Sequence, residues 1–219
     1  MKNNDFIILL AWPEGMVDGA GGWYDKIFSR NGKYRVGHSA IALINSSNHR
    51  ICYFDFGRYQ TPIGYGRIRD DETDPDTRIK NKPKINDSRI ENIKEILIEI
   101  SNNKSYHGKG PLYSSILPNI DFESGFRHAK KWQEKGAIPY GPFNRNGTNC
   151  SRFVAKITRK SHPPFIKKIR LKFPFCISPS PKRNVSIGNR NYYMTFNNKC
   201  SYIKRNHLAG YFCGIEINK

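Results

Sequence analysis

One cysteine lies where a polar turn gives way to an amphipathic helix, and this placement constrains the fold more than any other feature of the sequence. Residues 147–154 read Gly-Thr-Asn-Cys-Ser-Arg-Phe-Val, so Cys150 falls in the first turn of a predicted helix over 149–159, directly after the capping residue Asn149. The free N–H groups and partial positive charge of a helix N-terminus stabilise a thiolate. Cys150 is therefore a candidate nucleophile, and the alternative is a small buried hydrophobic residue.

A predicted hairpin offers a base for this nucleophile. Residues 36–45 and 50–57 form two apolar strands separated by a short polar connection, and the first strand carries His38 near its start. His38, Ala40 and Ala42 alternate onto one face of that strand, and two alanines on this face would let the cysteine helix approach closely. The alternative for His38 is a half-buried histidine bonded to the backbone.

The register of the hairpin decides which group orients the imidazole. If Ile44 lies opposite Ile51, then Ala40 lies opposite Asp55, and Asp55 lies diagonally from His38 on the same face. A slip of one residue would move Asp55 to the other face. We therefore predict Asp55 as the orienting group in the regular register.

Nucleophilic attack on a carbonyl also requires donors to the developing oxyanion. The backbone N–H of Cys150 is the first candidate, since it lies at a helix N-terminus. Asn149 and the hydroxyl of Tyr140 are further candidates for oxyanion or substrate contacts, although an aromatic residue between Pro139 and Gly141 also suits a packing anchor.

The rest of the chain mixes strands and helices. Apolar periodicity and turn residues predict strands over 6–12, 192–196 and 210–215, helices over 87–101 and 122–135, and an edge strand over 165–175. The predicted fold class is therefore α+β, with an antiparallel sheet against which the cysteine helix packs.

Positive charge is concentrated in the C-terminal third. The chain of 219 residues carries a net charge of +19, and residues 151–219 hold fifteen Lys/Arg and one acidic residue. Lys167, Lys168, Arg170 and Lys172 lie in the predicted edge strand, where they are candidate anion-binding residues. An anionic substrate, an envelope or membrane surface, or nucleic acid would fit this charge, nucleic acid being less favoured because no binding motif is recognisable. A solvated basic face is the alternative.

Cysteine usage and apolar runs bear on the compartment. Five scattered cysteines with no CxxC pair suit a reducing compartment and predict neither a metal site nor another cofactor. The apolar run 6–12 is too short for a membrane span and lacks a cleavage pattern. We expect a cytoplasmic protein, or one exported by a route that uses no cleavable signal peptide.

The order of the two reactive residues, His38 on a strand before Cys150 on a helix, resembles circularly permuted papain-like hydrolases of the NlpC type. The lecithin-retinol acyltransferase branch carries Asn-Cys-Glu-His-Phe-Val where this chain has Asn-Cys-Ser-Arg-Phe-Val at 149–154. The segments 53–59 and 141–150 are similar to an uncharacterised bacterial branch, which implies no activity. The resemblance covers about residues 6–160.

This resemblance implies a permuted papain-like domain over 1–160, followed by a basic, aromatic-rich extension over 161–219 that packs on the same domain. It also implies a cysteine hydrolase that cleaves an amide bond in a peptide or a peptidoglycan stem. The alternatives are a phospholipid thiol-esterase or acyltransferase, and a non-catalytic module that binds nucleic acid or an anionic envelope surface.

Overall fold

The computed structural model describes residues 4–18, 33–35, 37–142, 144–173 and 180–206. Its strands are β1 (Asp5–Trp12), β2 (Met16–Asp18), β3 (Lys33–Arg35), β4 (His38–Ile44), β5 (Ile51–Gly57), β6 (Tyr65–Arg69), β7 (Ile85–Asn86), β8 (Arg89–Ile90), β9 (Leu112–Ile120), β10 (Ile138–Pro139), β11 (Tyr192–Phe196) and β12 (Lys199–Ile203). The α-helices of the described part are α1 (Ile93–Asn102), α2 (Phe122–Gln133), α3 (Cys150–Lys160), α4 (Phe165–Lys172) and α5 (Pro181–Gly188).

One antiparallel sheet of eight strands organises the described part of the chain. Its order is β10-β6-β5-β4-β1-β9-β11-β12, so β1 lies inside the sheet between β4 and β9. A strand in this position has neighbours on both faces, which explains why β1 is apolar at nearly every residue rather than at alternate ones. The predicted buried strand over 6–12 is confirmed.

Helices cover both faces of the sheet. Ile7 and Leu9 belong to a core cluster with Phe153 and Val154 of α3 and with residues of α2 and α5. The opposite face of β1 joins a second cluster built from α1. The predicted α+β class with an antiparallel sheet is confirmed, as is the packing of the cysteine helix against that sheet.

The hairpin has the predicted register. Ile44 pairs with Ile51 and Ala40 pairs with Asp55 across β4 and β5. The predicted helix over 122–135 is observed as α2, which begins after Asp121, whose side chain accepts a hydrogen bond from the backbone N–H of Ser124. The helix predicted over 149–159 is observed as α3.

The edge strand predicted over 165–175 is not observed, and that prediction is wrong. Residues 165–172 form helix α4, which begins after Pro164 at the N-cap, while 174 and 175 lie outside the described residues. Only Leu171 is buried within the helix, where it contacts the α3 and α5 side of the molecule. The imperfect alternation of apolar and basic residues was compatible with both periods, and Leu171 packs as a helical residue.

The helix predicted over 87–101 begins later than expected, at Ile93. Residues 85–90 instead form a short hairpin of β7 and β8 around Asp87, whose φ of 51° is left-handed. Asp87 and Ser88, which fall within the predicted helix, form the turn between these two strands. Asn92 occupies the N-cap, but its side chain bonds to the backbone of Lys82 and Lys84 and does not cap the helix.

The C-terminal region contributes to the same sheet. Strand β11 pairs with β9, and β12 pairs with β11, so residues 192–203 extend the sheet on the side opposite to the hairpin. The strand predicted over 192–196 is confirmed, whereas the one predicted over 210–215 lies outside the described residues. The domain boundary at residue 160 stays a prediction.

None of the helices described is long and apolar enough to cross a membrane. Within the same ranges, no group of three or more His, Cys, Asp or Glu side chains is arranged to hold a metal ion.

Candidate active site

Cys150 lies at the first position of helix α3, as predicted. Asn149 precedes it in an extended conformation, and its side chain accepts a hydrogen bond of 2.9 Å from the backbone N–H of Arg152. This capping bond fixes the start of the helix and so the position of the thiol. The sulfur lies near the backbone N–H of Ser39 on β4, which favours the thiolate, and 3.9 Å from the hydroxyl oxygen of Ser151.

His38 begins strand β4, and its imidazole lies within hydrogen-bonding reach of the Cys150 thiol. Its imidazole stacks on Trp12, which pairs with it across the sheet, with ring centroids 5.9 Å apart. Gly37 precedes it with a φ of 64°, and a Cβ there would overlap the carbonyl oxygen of Trp12. Glycine at position 37 therefore permits the close approach of the chain to Trp12, which places His38 at the edge of the core.

The thiol reaches His38 at the end of the strand and not across its alanine face. Ala40 and Ala42 lie in the core cluster on the α1 side of the sheet, while α3 packs on the other side. The expectation that the two alanines admit the cysteine helix is therefore wrong. His38 is the first residue of β4 and Cys150 is the first residue of α3, so the two reactive side chains meet where both elements begin.

Asp55 holds the other side of the imidazole. Its Oδ2 lies 3.0 Å from Nε2 of His38, which leaves Nδ1 as the ring nitrogen available to the thiol. The carboxylate is completely buried and also accepts hydrogen bonds from the hydroxyls of Tyr53 and Tyr59, at 3.0 and 2.9 Å. Arg69 donates to both carboxylate oxygens, at 3.1 and 2.7 Å.

These contacts shift the titration of the reactive pair. Burial lowers the pKa of His38, but its hydrogen bonds and the charges of Asp55 and Cys150 raise it to about 9. Burial raises the pKa of Cys150, but the hydrogen bond and charge of His38 lower it below its ordinary value. Burial also raises the pKa of the Asp55 carboxyl, and His38 and Arg69 hold it well below its usual range. Opposite shifts on hydrogen-bonded neighbours favour a thiolate–imidazolium pair at neutral pH.

A family model described as "Type VI secretion system effector TseH-like" matches residues 7–164. The match covers more than half of the chain and includes all three residues of the His38–Asp55–Cys150 series. The chain belongs to the TseH-like family of type VI secretion system effectors. A solved structure described as the type VI secretion system effector TseH is similar over 93% of this chain and 100% of that one, with a TM-score of 0.63 and 16% identity. At that identity the likeness concerns the fold. A comparison with curated proteins gave no match.

In this TseH-like family member, a loop held by several hydrogen bonds leads into helix α3 and its first residue, Cys150. The backbone N–H of Thr148 donates to the carbonyl of Pro139 at 3.0 Å, and a Cβ on Gly147 would overlap that carbonyl oxygen. Arg152 donates from one guanidinium nitrogen to the carbonyls of residues 141, 142 and 144, each at 3.1 Å. Arg152 thus ties the loop to the first turn of α3.

Tyr140 enters this loop as a packing residue. Its ring stacks on Phe56 with centroids 5.6 Å apart and an interplanar angle of 10°, and the guanidinium of Arg58 lies over it. The ring of Tyr140 therefore acts as a packing anchor, which was the alternative to an oxyanion or substrate contact. A hydrogen bond from its hydroxyl to an oxyanion stays a prediction, as does a substrate contact by Asn149, whose side-chain oxygen bonds to Arg152.

Sequence reasoning missed three residues of this site, Tyr53, Tyr59 and Arg69. Tyr53 shares the Asp55 face of β5, so strand alternation carried a signal for it. Arg69 pairs directly with Asp55 across β5 and β6, and its guanidinium stacks over the ring of Tyr59, 3.5 Å from the centroid. That pairing becomes visible only when the register of β6 is known.

His107, which also lies near this site, and the basic candidates occupy other positions. His107 stacks on Tyr59, whose hydroxyl oxygen lies 3.4 Å from Nε2 of His38, and His38 rather than His107 is the histidine beside the thiol. The predicted anion-binding residues all lie on α4, and among them Lys167 points inward to donate to the carbonyl of Gly188 at the end of α5. Anion binding by Lys167, Lys168, Arg170 and Lys172 stays a prediction.

Proposed function

We propose that this TseH-like chain is a cysteine hydrolase that cleaves an amide bond in a peptide or a peptidoglycan stem. One observation carries the proposal: the Cys150 thiol lies beside the imidazole of His38, and Nε2 of that imidazole is held by the buried carboxylate of Asp55. A nucleophile, a base and an orienting group in series constitute the arrangement that acyl transfer requires.

In the proposed mechanism, the Cys150 thiolate attacks the carbonyl carbon and the electron pair of the C=O bond moves to oxygen. The backbone N–H of Cys150, at the N-terminus of α3, stabilises this oxyanion. When the tetrahedral intermediate collapses, the C–N bond breaks and the His38 imidazolium donates its proton to the leaving amine. Water then attacks the thioester carbonyl while His38 accepts its proton, and collapse of the second intermediate breaks the C–S bond, which releases the acid and restores the thiolate–imidazolium pair. Asp55 keeps the ring oriented throughout.

We further propose that the fold is a permuted papain-like fold of the NlpC type. The chain order supports this reading, because the strand that carries His38 precedes the helix that carries Cys150. The family also supports a route of export that needs no cleavable signal peptide, since its members are described as type VI secretion effectors. We infer that the substrate lies in the cell or envelope to which such an effector is delivered.

A phospholipid thiol-esterase is the second candidate, and helix α4 favours it. Phe165, Ile166 and Ile169 are 73%, 55% and 40% exposed, beside the basic residues of the same helix. Apolar side chains next to lysines suit the interface of an anionic membrane. A non-catalytic binding module is the third reading, and it requires no activation of the Cys150 thiol.

A substrate panel separates these readings. Purified protein is incubated with peptidoglycan fragments, an isopeptide-containing peptide and phospholipid vesicles, and the products are identified by mass spectrometry. We expect cleavage of an amide by the wild type and none by Cys150→Ala, with Cys52→Ala as the matched cysteine control that retains activity. Ester cleavage alone would transfer the assignment to the phospholipid candidate. Equal product from wild type and Cys150→Ala would reject cysteine catalysis.

A further inference from the structure

A basic cavity lies on the outer side of helix α3, away from the face that packs on the sheet. Its volume is about 650 Å³, and it is bounded by α3, the end of α2, the loop 145–148 and the end of α4. Six of its lining residues carry positive charge: Lys135, Arg145, Arg152, Lys156, Arg159 and Lys172. Within the described ranges no aspartate or glutamate lines it.

The helix itself concentrates this charge. Arg152, Lys156 and Arg159 recur at intervals of four and three residues, so they share one face of α3. Like charges at this spacing repel one another and destabilise an isolated helix. In the described part of the chain none of the three forms an ion pair with a carboxylate.

The local contacts leave the charge without neutralisation. Arg152 donates to three loop carbonyls and Arg159 to the carbonyl of Ala155, and these acceptors carry no formal charge. The ammonium of Lys156 lies over the ring of Trp132, 3.6 Å from its centroid. Burial lowers the pKa of Lys156 to about 8, and the positive charges of its neighbours add to this shift, with Lys135 contributing most among them. A multivalent anion in the cavity would relieve this repulsion.

We propose that this cavity is a binding site for a phosphoryl group. Several cations that converge on one concave surface focus a positive potential, and a group with two or more negative charges gains more from it than a single carboxylate does. Guanidinium groups match phosphate oxygens in pairs, and an ammonium adds a point charge. The site is distinct from the predicted anion-binding residues of α4, with which it shares only Lys172.

Binding of inorganic pyrophosphate, measured by isothermal titration calorimetry at low ionic strength, tests the proposal. Lys156→Gln/Arg159→Gln removes two charges from the cavity and leaves Arg152, which holds the loop, in place. We expect affinity at least about 10-fold weaker in this variant and a steep loss of wild-type affinity as salt rises. The control Arg89→Gln/Lys94→Gln removes the same charge from exposed positions on the opposite side of the sheet and is expected to bind as the wild type.

Vesicle sedimentation identifies the source of the phosphoryl group. Phosphatidylglycerol in phosphatidylcholine vesicles is compared with phosphatidylcholine alone. Loss of vesicle binding in the cavity variant, but not in the control, assigns a lipid headgroup; unchanged vesicle binding with weakened pyrophosphate binding assigns a soluble phosphorylated ligand. No pyrophosphate binding by the wild type, or equal affinity in both variants, overturns the proposal. Because every readout is binding, the result is independent of the proposed hydrolase activity.

Discussion

We expect His38→Ala to lower turnover on the amide substrate by about 10²- to 10⁴-fold, which is the usual cost of removing a general base. His38 favours the Cys150 thiolate, and in the proposed mechanism it also supplies the proton for the leaving group, so both stages of that reaction would lose their proton carrier. Initial rates at saturating substrate, with circular dichroism to verify the fold, measure the effect. The ring is only 13% exposed, but it lies at a strand end, where truncation leaves the central sheet intact.

A double substitution makes this result specific. If Cys150 and His38 act as one unit, Cys150→Ala/His38→Ala has the same residual rate as Cys150→Ala alone. His49→Ala, in the exposed turn of the hairpin, serves as the matched histidine control and keeps full activity. A His38→Ala protein within about threefold of the wild-type rate, well short of the usual loss, would remove His38 from the mechanism.

Asp55→Ala is expected to lower the free energy of unfolding by about 3 to 5 kcal/mol, the typical cost of leaving a buried charge without its partner. The side chain of Arg69 is 4% exposed, and its guanidinium loses both bonds to the carboxylate, while the hydroxyls of Tyr53 and Tyr59 lose an acceptor. Asp55→Asn keeps the shape and one acceptor oxygen, so its cost is smaller, although it also removes the negative charge beside Arg69. Urea denaturation followed by tryptophan fluorescence measures these values.

Two further variants test whether the loss of unfolding free energy in Asp55→Ala comes from the buried charge of Arg69. Asp71→Ala breaks an exposed pair with Arg78 and is expected to cost no more than about 1 kcal/mol. Adding Arg69→Met to Asp55→Ala removes the unpaired cation and is expected to recover part of the stability, which a double-mutant cycle quantifies. Additive losses in the double mutant, or an Asp55→Ala protein as stable as Asp71→Ala, would contradict the proposed charge network.

The sequence predicted Cys150, His38 and Asp55 as site residues because the helix and the hairpin that carry them have strong local sequence patterns. Asn149 caps α3, and the regular hairpin register puts Asp55 opposite Ala40, which the structure reproduces. Two apolar strands joined by a short polar turn leave few other registers that bury both strands. The positions of His38 and Asp55 follow from that register.

Other elements gave a weaker or conflicting signal. The segment 165–172 has apolar residues at both strand and helix spacings, and most of them are exposed, so burial did not select a period. Strand β9 is buried on both faces within the sheet, where Ser114 and Ser115 are fully buried, so it shows neither alternation nor a continuous apolar run. Because its own residues show no strand pattern, β9 is recognised as a strand only through its pairing with β1.

The support behind Asp55 could not be predicted from local pattern. Arg69 lies on β6, and its partner contacts depend on the pairing of β5 with β6 and on the loop that carries Ser105, whose carbonyl accepts a hydrogen bond from Arg69. Likewise, the basic cavity unites residues of three helices and a loop. Such sites depend on tertiary proximity, which a strand or helix period does not encode.

A thiolate titration tests whether Cys150 is a thiolate paired with the imidazolium of His38 at neutral pH. The far-ultraviolet thiolate absorbance of the wild type minus that of Cys150→Ser is recorded as pH is raised, and Cys52, whose pKa burial raises to about 11, cancels in the difference. We expect the Cys150 thiolate to appear well below the ordinary cysteine pKa of about 8.5 and to shift upward in His38→Ala. A thiolate that forms only at or above that ordinary value, or whose pKa is unchanged by His38→Ala, would show that Cys150 and His38 do not form this ion pair.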